Sequence, residues 1–403
     1  MPFETSTTNA GELLRHFSAR RDELLSLTRA LCEAESPSGD AEGSRAVVSL
    51  LEEAACFLEG FASWERTPAP DGYGEHFRLH AFSEGAKEER TLLLLGHTDT
   101  VHPRGTLVQR PWREEDGKIY APGIFDMKAA CAIALGALRA CAALGARPRR
   151  PVVLLLTCDE ESGSHSGRAL VEEEARRAEY VLVLEPSAPG GRAKTARKGT
   201  GLFTLSVEGR AAHAGLEPEK GVSAILELAR QIERVSSLAR PEVGTTINVG
   251  TLVGGTHANV VAAEARAEVD VRFSTLEEAR RIEEAMRDLQ PFDTRAAIKV
   301  SGGINRPPLE RTAAVATLFE KARSVASMFD FELGETSVGG ASDGNFAAAF
   351  CAAVLDGLGV EGDGAHASHE HIDADRLVPR AAFMAALISS LSKDESGASQ
   401  SRD

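Results

Sequence analysis

TLLLLGH (91–97), VVLLLT (152–157) and YVLVLE (180–185) decide the fold. Each is a short, unbroken apolar run, the pattern of a strand buried on both faces of a parallel sheet. Between the first two lies an Ala- and Leu-rich stretch, 126–144, that reads as a helix. Strand–helix–strand alternation of this kind indicates an α/β layer fold around a mostly parallel central sheet. Upstream, residues 11–34 and 42–57 have the spacing of amphipathic helices. Downstream, the pattern changes after Gly199. LFTLSVEG (202–209) alternates as a strand, and Val222, Ile225, Leu226, Ala229 and Ile232 recur at helical spacing. TTINVGTLVGG (245–255) and EARAEVDVRF (264–273) read as strands, followed by a charged helix over 275–289 and a strand over 296–301. The order β-α-β-β-α-β is the ferredoxin-like arrangement. The expected organisation is a catalytic α/β domain in two parts, 1–199 and 306–393, interrupted by an inserted domain, 200–305, with a disordered tail over 394–403. The second part carries a helix over 311–329, a strand over 351–356 and a final helix over 375–392.

The 403 residues suffice for two or three domains and a large core. A formal charge of −15 argues against a nucleic-acid partner, which needs clustered Lys and Arg. It does not exclude an anionic small molecule bound by a few local arginines. The six cysteines form no CxxC pair and sit mostly in apolar runs, as buried free thiols of a reducing compartment do. No signal peptide is visible in MPFETSTTNAGELLRHF, and no window reaches about 18 apolar residues. The expected location is the cytoplasm, with no membrane partner.

Each of the three apolar strands ends in residues able to bind metal. The first runs into His97-Thr98-Asp99, the second into Asp159-Glu160-Glu161, and the third ends at Glu185. Ligands of open α/β sheets bind beyond the carboxyl ends of the strands. Asp126 follows the loop APGIF, and GDGAHASHEH (362–371) adds three histidines near the C-terminus. Any one such acid could simply cap a helix. Together, at one sheet end, they point to a metal centre whose imidazole and carboxylate donors suit zinc, with cobalt or manganese as alternatives. Asp126, Glu161 and Glu185 with one hydroxide supply four negative charges, the balance for two divalent ions sharing a carboxylate and a water. Adjacent side chains diverge, so one of Glu160 and Glu161 can bind metal while the other faces the substrate as a proton carrier.

The stretches GHTDTV (96–101), GIFDMK (123–128), DEESGS (159–164), LEPS (184–187), GRAAHAG (209–215), NVV (259–261), DVRF (270–273), GGASDGN (339–345) and GAH (364–366) occur in the order found in the M20 metallopeptidases. The chain resembles that family over nearly its whole length, and within it the glutamate carboxypeptidase branch. The resemblance implies that the inserted domain is a lid and dimerisation domain. It implies that His97, Asp126 and Glu185 hold one metal, that Asp126, Glu161 and His366 hold the other, and that Glu160 is the general base. Asp99 would orient His97 from behind. His213 would stabilise the oxyanion, reaching across a homodimer, while Asn259, Arg272 and Arg306 would contact the substrate and its carboxylate. Two features depart from the family pattern: Ala129-Ala130 replaces a usual glycine pair, and His369 and His371 accompany His366.

Plainer readings stand beside these. His213 and Asn259 could be surface and turn residues, Arg272 could pair with Asp270, and Arg306 could be a linker residue. Ser342 could cap a helix, and Asp116-Gly117 could turn a hairpin. Lys198, His257, His369 and His371 receive no role. The implied activity is hydrolysis of an amide or peptide bond that releases a C-terminal amino acid, such as glutamate, from an N-acyl or peptidyl substrate. The alternatives are an N-acyl-amino-acid deacylase or desuccinylase and, more remotely, a non-catalytic metal-binding scaffold. The presence of Glu160 and Asp126 weighs against the scaffold.

Overall fold

The computed structural model describes residues 10–86 and 89–391. The tail over 394–403 lies outside the described residues. The chain divides into two compact units, one drawing on residues up to Thr195, on Arg311–Ser337 and on the chain from Ser342, the other on Ala196–Glu310 with Val338–Ala341.

The larger unit is built on a six-stranded sheet. Its three inner apolar strands, Val152–Thr157, Thr91–His97 and Ala178–Val183, lie side by side and parallel, and the short strand Val354–Leu355 extends them in parallel. Every residue of Val152–Thr157 is buried, which explains the absence of alternation. The helices Ala129–Ala143 and Leu377–Ser390 cover the sheet with small side chains, so that Cys131, Leu138, Phe383 and Leu387 join Leu92, Leu94 and Leu154 in one core. The mixed α/β class with a mostly parallel sheet is as the apolar runs indicated.

Two features differ from expectation. The stretch 11–34 is two helices, Ala10–Ala19 and Arg21–Glu33, broken at Arg20, whose φ of −118° leaves the helical range. The sheet also continues through an antiparallel hairpin, Ala62–Ala69 with Gly74–Ala81, that the hydrophobic pattern did not reveal. The first of these strands lies at the sheet edge with no buried residue, and the second buries His76 and Arg78 among its apolar positions. A small second sheet joins Arg113–Glu115, Lys118–Tyr120, Gly362–Asp363 and His371–Asp373. Asp116 and Gly117, at φ 51° and 73°, form its first hairpin turn, as their sequence suggested.

The smaller unit has strands Gly199–Glu208, Thr246–Gly254, Glu264–Phe273 and Ala297–Arg306 and helices Ala224–Ser236 and Leu276–Arg287. The strands are antiparallel, and in chain order they lie second, third, first, fourth across the sheet. This is the ferredoxin-like topology. Alternation is strict on Glu264–Phe273: Ala265, Ala267, Val269, Val271 and Phe273 are buried, whereas Glu264, Arg266, Glu268, Asp270 and Arg272 face the other side.

Candidate metal centre

The parallel register brings three strand ends to one place. His97 pairs with Thr157, and the chain after Thr157 enters the single turn Glu160–Ser162. Behind this turn sits Asp99, 2 % exposed, whose carboxylate accepts the backbone N–H groups of Glu160 and Glu161 at 3.1 Å each and the Ser38 hydroxyl at 2.5 Å. The same residue faces His97: Nδ1 lies 3.0 Å from the Asp99 carbonyl oxygen and 3.4 Å from Oδ1. Nδ1 therefore donates to Asp99, and Nε2 is aimed forward, 3.2 Å from Asp126 Oδ1 and 3.7 Å from Glu185 Oε1. Burial disfavours charge on this imidazole, but hydrogen bonds to Asp126 and Asp99 outweigh it and hold its pKa well above the ordinary value. Glu185 lies two residues past the strand Ala178–Val183 rather than at its last position.

Asp126 does not open a helix. It sits in the irregular turn Ile124–Lys128, and the regular helix starts at Ala129. Its neighbours anchor the turn. The Met127 sulfur accepts the His97 N–H at 3.4 Å, and the Lys128 ammonium donates to the carbonyls of Leu31 (2.7 Å) and Ala34 (3.0 Å). Leu31 lies in the last turn of the helix Arg21–Glu33 and Ala34 is its C-cap, where carbonyls run out of helical donors. Complete burial pushes Lys128 down to about 8. Neither Lys128 nor Ser38 was singled out in the sequence. The one signal for the first is a lysine inside the apolar stretch IFDMKAACAIAL (124–135).

Of the three late histidines, His366 reaches the cluster. Its Nε2 lies 3.1 Å from the Glu161 carboxylate and 3.4 Å from Asp126 Oδ2. Its backbone is held at φ 62°, a region that costs a non-glycine residue about 1–2 kcal/mol. Hydrogen bonds to Asp126 and Glu161 push this imidazole up to about 10. On Asp126, burial is outweighed by His366 and His97, which hold its carboxyl well below the usual range. His369 is exposed, whereas His371 is buried, with Nδ1 2.8 Å from the His369 carbonyl and its ring 5.2 Å from that of Tyr120.

The donor set fits divalent cations. Potential ligand atoms of His97, Asp126 and Glu161 lie within 4.8 Å of one another, as do those of His97, Glu160 and Glu185. Carboxylates crowded this closely repel one another unless positive charge lies between them. Protonated imidazoles supply that charge in part, and a metal ion supplies it while leaving each imidazole neutral and able to ligate. The donors are nitrogen and oxygen, the set used by catalytic zinc and other borderline ions.

The remaining candidates, Ser342 apart, lie in the smaller unit. His213 is exposed, and its Nδ1 accepts the N–H of Gly215 at 3.1 Å, which leaves the ring proton of a neutral imidazole on Nε2. Asn259 is its neighbour: the Ala214 N–H donates to the Asn259 carbonyl at 3.0 Å, and His213 bridges to Val260. Arg272 is paired with Asp270 through two hydrogen bonds of 2.9 and 3.0 Å. Arg272 and Arg306 both lie opposite Thr200, on the strands to either side of it. Ser342 caps the helix Asp343–Ala348 in a reciprocal box with Asn345.

Comparison with known proteins agrees with this architecture. Carboxypeptidase G2 of Pseudomonas sp. (strain RS-16) is 31% identical over 92% of this chain and 90% of its own. Acetylornithine deacetylase of Myxococcus xanthus is 32% identical over 66% of this chain and 74% of its own. Among solved structures, aminopeptidase PepT from Bacillus cereus superposes with a TM-score of 0.73 at 21% identity, covering 93% of this chain and 99% of that one. The model of peptidase family M20/M25/M40 matches residues 93–390, a span that contains every strand end and loop just described, and the chain belongs to that family.

Proposed function

We propose that the protein is a two-metal amidohydrolase, with zinc as the resident ion, that releases a C-terminal amino acid, glutamate among them, from N-acyl or peptidyl substrates. The observation that carries this reading is the meeting of His97, Asp126, Glu161, Glu185 and His366 with Glu160 beyond the ends of parallel strands. His97, Asp126 and Glu185 would hold one ion and Asp126, Glu161 and His366 the other. Bound ions of this kind lower the pKa of a water and polarise a carbonyl. Glu160, 7 % exposed and fixed through its N–H to Asp99, would take the proton from the attacking water and give it to the leaving nitrogen. His213, with its Nε2 proton outward, would reach across a homodimer to donate to the oxyanion, and Asn259 beside it would contact the substrate.

Resemblance to carboxypeptidase G2 over most of both chains favours the carboxypeptidase reading. Resemblance to acetylornithine deacetylase favours a second one, an N-acyl-amino-acid deacylase or desuccinylase, and the Asp270 carboxylate on Arg272 leaves less positive charge for an acidic C-terminal side chain. Hydrolysis by the zinc-loaded protein of dipeptides and N-acyl amino acids ending in Glu, Asp, Ala, Leu or Lys separates the two. Preference for peptidyl or N-acyl glutamate supports the first reading, and preference for acylated basic or neutral amino acids supports the second. No turnover of any would count against both readings.

A homodimer through the smaller unit is part of the proposal. Gly199–Glu208 is a central strand, so the candidate edges are Thr246–Gly254 and Ala297–Arg306. On the first, Leu252 (51 %) and Val253 (65 %) are exposed, and Gly254 packs against Ile225 of a helix that also exposes Leu226 (63 %). An apolar, unpaired edge of this kind invites a second chain. Replacing Leu252 and Val253 by Asp is expected to convert a dimer to a monomer in light scattering. A monomeric wild-type protein, or a dimer unchanged by both substitutions, would count against this surface. The cytoplasmic location belongs to the same reading, since all six cysteines are free thiols.

A further inference from the structure

Glu370 is 3 % exposed, and its carboxylate is filled with donors. Oε1 accepts the N–H groups of Phe125 and Asp126 at 3.0 Å each, and Oε2 accepts the N–H of Gly123 at 2.8 Å and His102 Nε2 at 2.6 Å. The far side of the His102 ring fixes its tautomer. Arg110 Nη2 lies 3.1 Å from Nδ1 and can only donate, so Nδ1 accepts and the proton sits on Nε2. The other amino group of Arg110 donates to the Ala367 carbonyl at 3.0 Å. Glu370 and Ala367 belong to the loop that carries His366, closed at its base by pairing of Gly362–Asp363 with His371–Asp373. Gly123, Phe125 and Asp126 belong to the turn that carries Asp126. His102 follows shortly after His97 and Asp99.

We propose that Glu370 is a positioning residue for the metal centre: its carboxylate, held by His102, which Arg110 orients in turn, clamps the Asp126 turn to the His366 loop so that both side chains are presented together. This rests on the metal reading above. Glutamine cannot replace the carboxylate. An amide nitrogen at the Oε1 position would face two N–H donors. At the Oε2 position it would face the Gly123 N–H and an imidazole N–H that Arg110 prevents from changing tautomer.

The test is zinc affinity by chelator competition, with the absorption spectrum of the cobalt-loaded protein as a second readout. Both are taken well below the melting temperature. Glu370→Gln is expected to keep its fold by circular dichroism, to bind zinc roughly 10–100-fold more weakly and to shift the cobalt bands. Wild-type affinity and spectrum in folded Glu370→Gln would overturn the clamp. If that variant does not fold, His102→Phe decides, because it keeps the carboxylate and removes one partner. Weakened zinc binding in it supports the clamp, and unchanged binding overturns it. A wild-type protein that binds no metal would refute the metal reading and this inference with it, whereas equal affinity in wild type and variant refutes the inference alone.

Discussion

Glu160→Ala is expected to keep its full metal content and to lose at least about 100-fold in turnover, the scale of a missing general base. Proximity alone does not decide this, since a Glu160 oxygen lies within 4.8 Å of donor atoms of both His97 and Glu185 and could ligate. The division of labour within the turn Glu160–Ser162 favours a proton carrier. Glu161 is committed to the side of His366, 3.1 Å away, while Asp99 pins the backbone N–H groups of both glutamates with its two oxygens. Two adjacent side chains on so short and fixed a turn diverge, and the one not needed for charge balance is Glu160. Asp126, Glu161 and Glu185 with one hydroxide would already balance two divalent ions. Glu160→Gln, of nearly the same shape, should fall as far as the alanine variant, because an amide cannot carry the proton. Elemental analysis after dialysis, beside steady-state rates, checks both parts. Metal loss in Glu160→Ala equal to that in Glu161→Ala would make Glu160 a ligand and leave the proton transfer without a carrier.

Much of this arrangement was legible because it follows from strand ends. A parallel strand buried on both faces shows itself as an apolar run, and the first polar residues after it must lie at the sheet's carboxyl end. That reasoning reaches His97, Asp99, Glu160 and Glu161 directly, and Glu185 within two residues. The ferredoxin-like unit was legible for a related reason: one face of its sheet is covered, so Glu264–Phe273 alternates with period two. The edge hairpin Ala62–Ala69 with Gly74–Ala81 was not, because Arg78 replaces apolar burial by ion pairs with Glu65, Glu173 and Glu174. From sequence, either 202–209 or 245–253 could be the outer strand of the smaller unit; the first is central and the second lies at the edge. Which strand ends up central depends on pairing between segments far apart, and Gly199–Glu208 is flanked by Glu264–Phe273 and Ala297–Arg306. The supports of the candidate metal centre were hidden for the same reason. Ser38 lies 61 residues from Asp99, and Glu370 lies 244 from Asp126. No local pattern reports such meetings.

His366→Ala is expected to lose one metal ion per chain and its activity with it, while His369→Ala and His371→Ala keep both. Local sequence does not separate three histidines within six residues, and the geometry of their loop does. Gly364, at φ 83°, turns the chain so tightly against Glu370 that a Cβ there would come within 2.9 Å of its backbone. His366, also at positive φ, is then directed at Asp126 and Glu161. His371 is already inside a strand, its Nδ1 engaged by the His369 carbonyl and its ring against Tyr120, and His369 is exposed. On the proposed ligand sets, removing the His366 imidazole would leave the second ion with Glu161 and a shared Asp126 as its protein ligands. That set lacks the nitrogen donor borderline metals favour. The other ion would keep His97, Asp126 and Glu185, so the remaining content should be close to one per chain rather than none. His371→Ala should lower the melting temperature instead, because it leaves a void beside Tyr120 in the small sheet. Two ions retained by His366→Ala after dialysis, or one lost from either of the other variants, would move the ligand to a different histidine and with it the loop that closes the site.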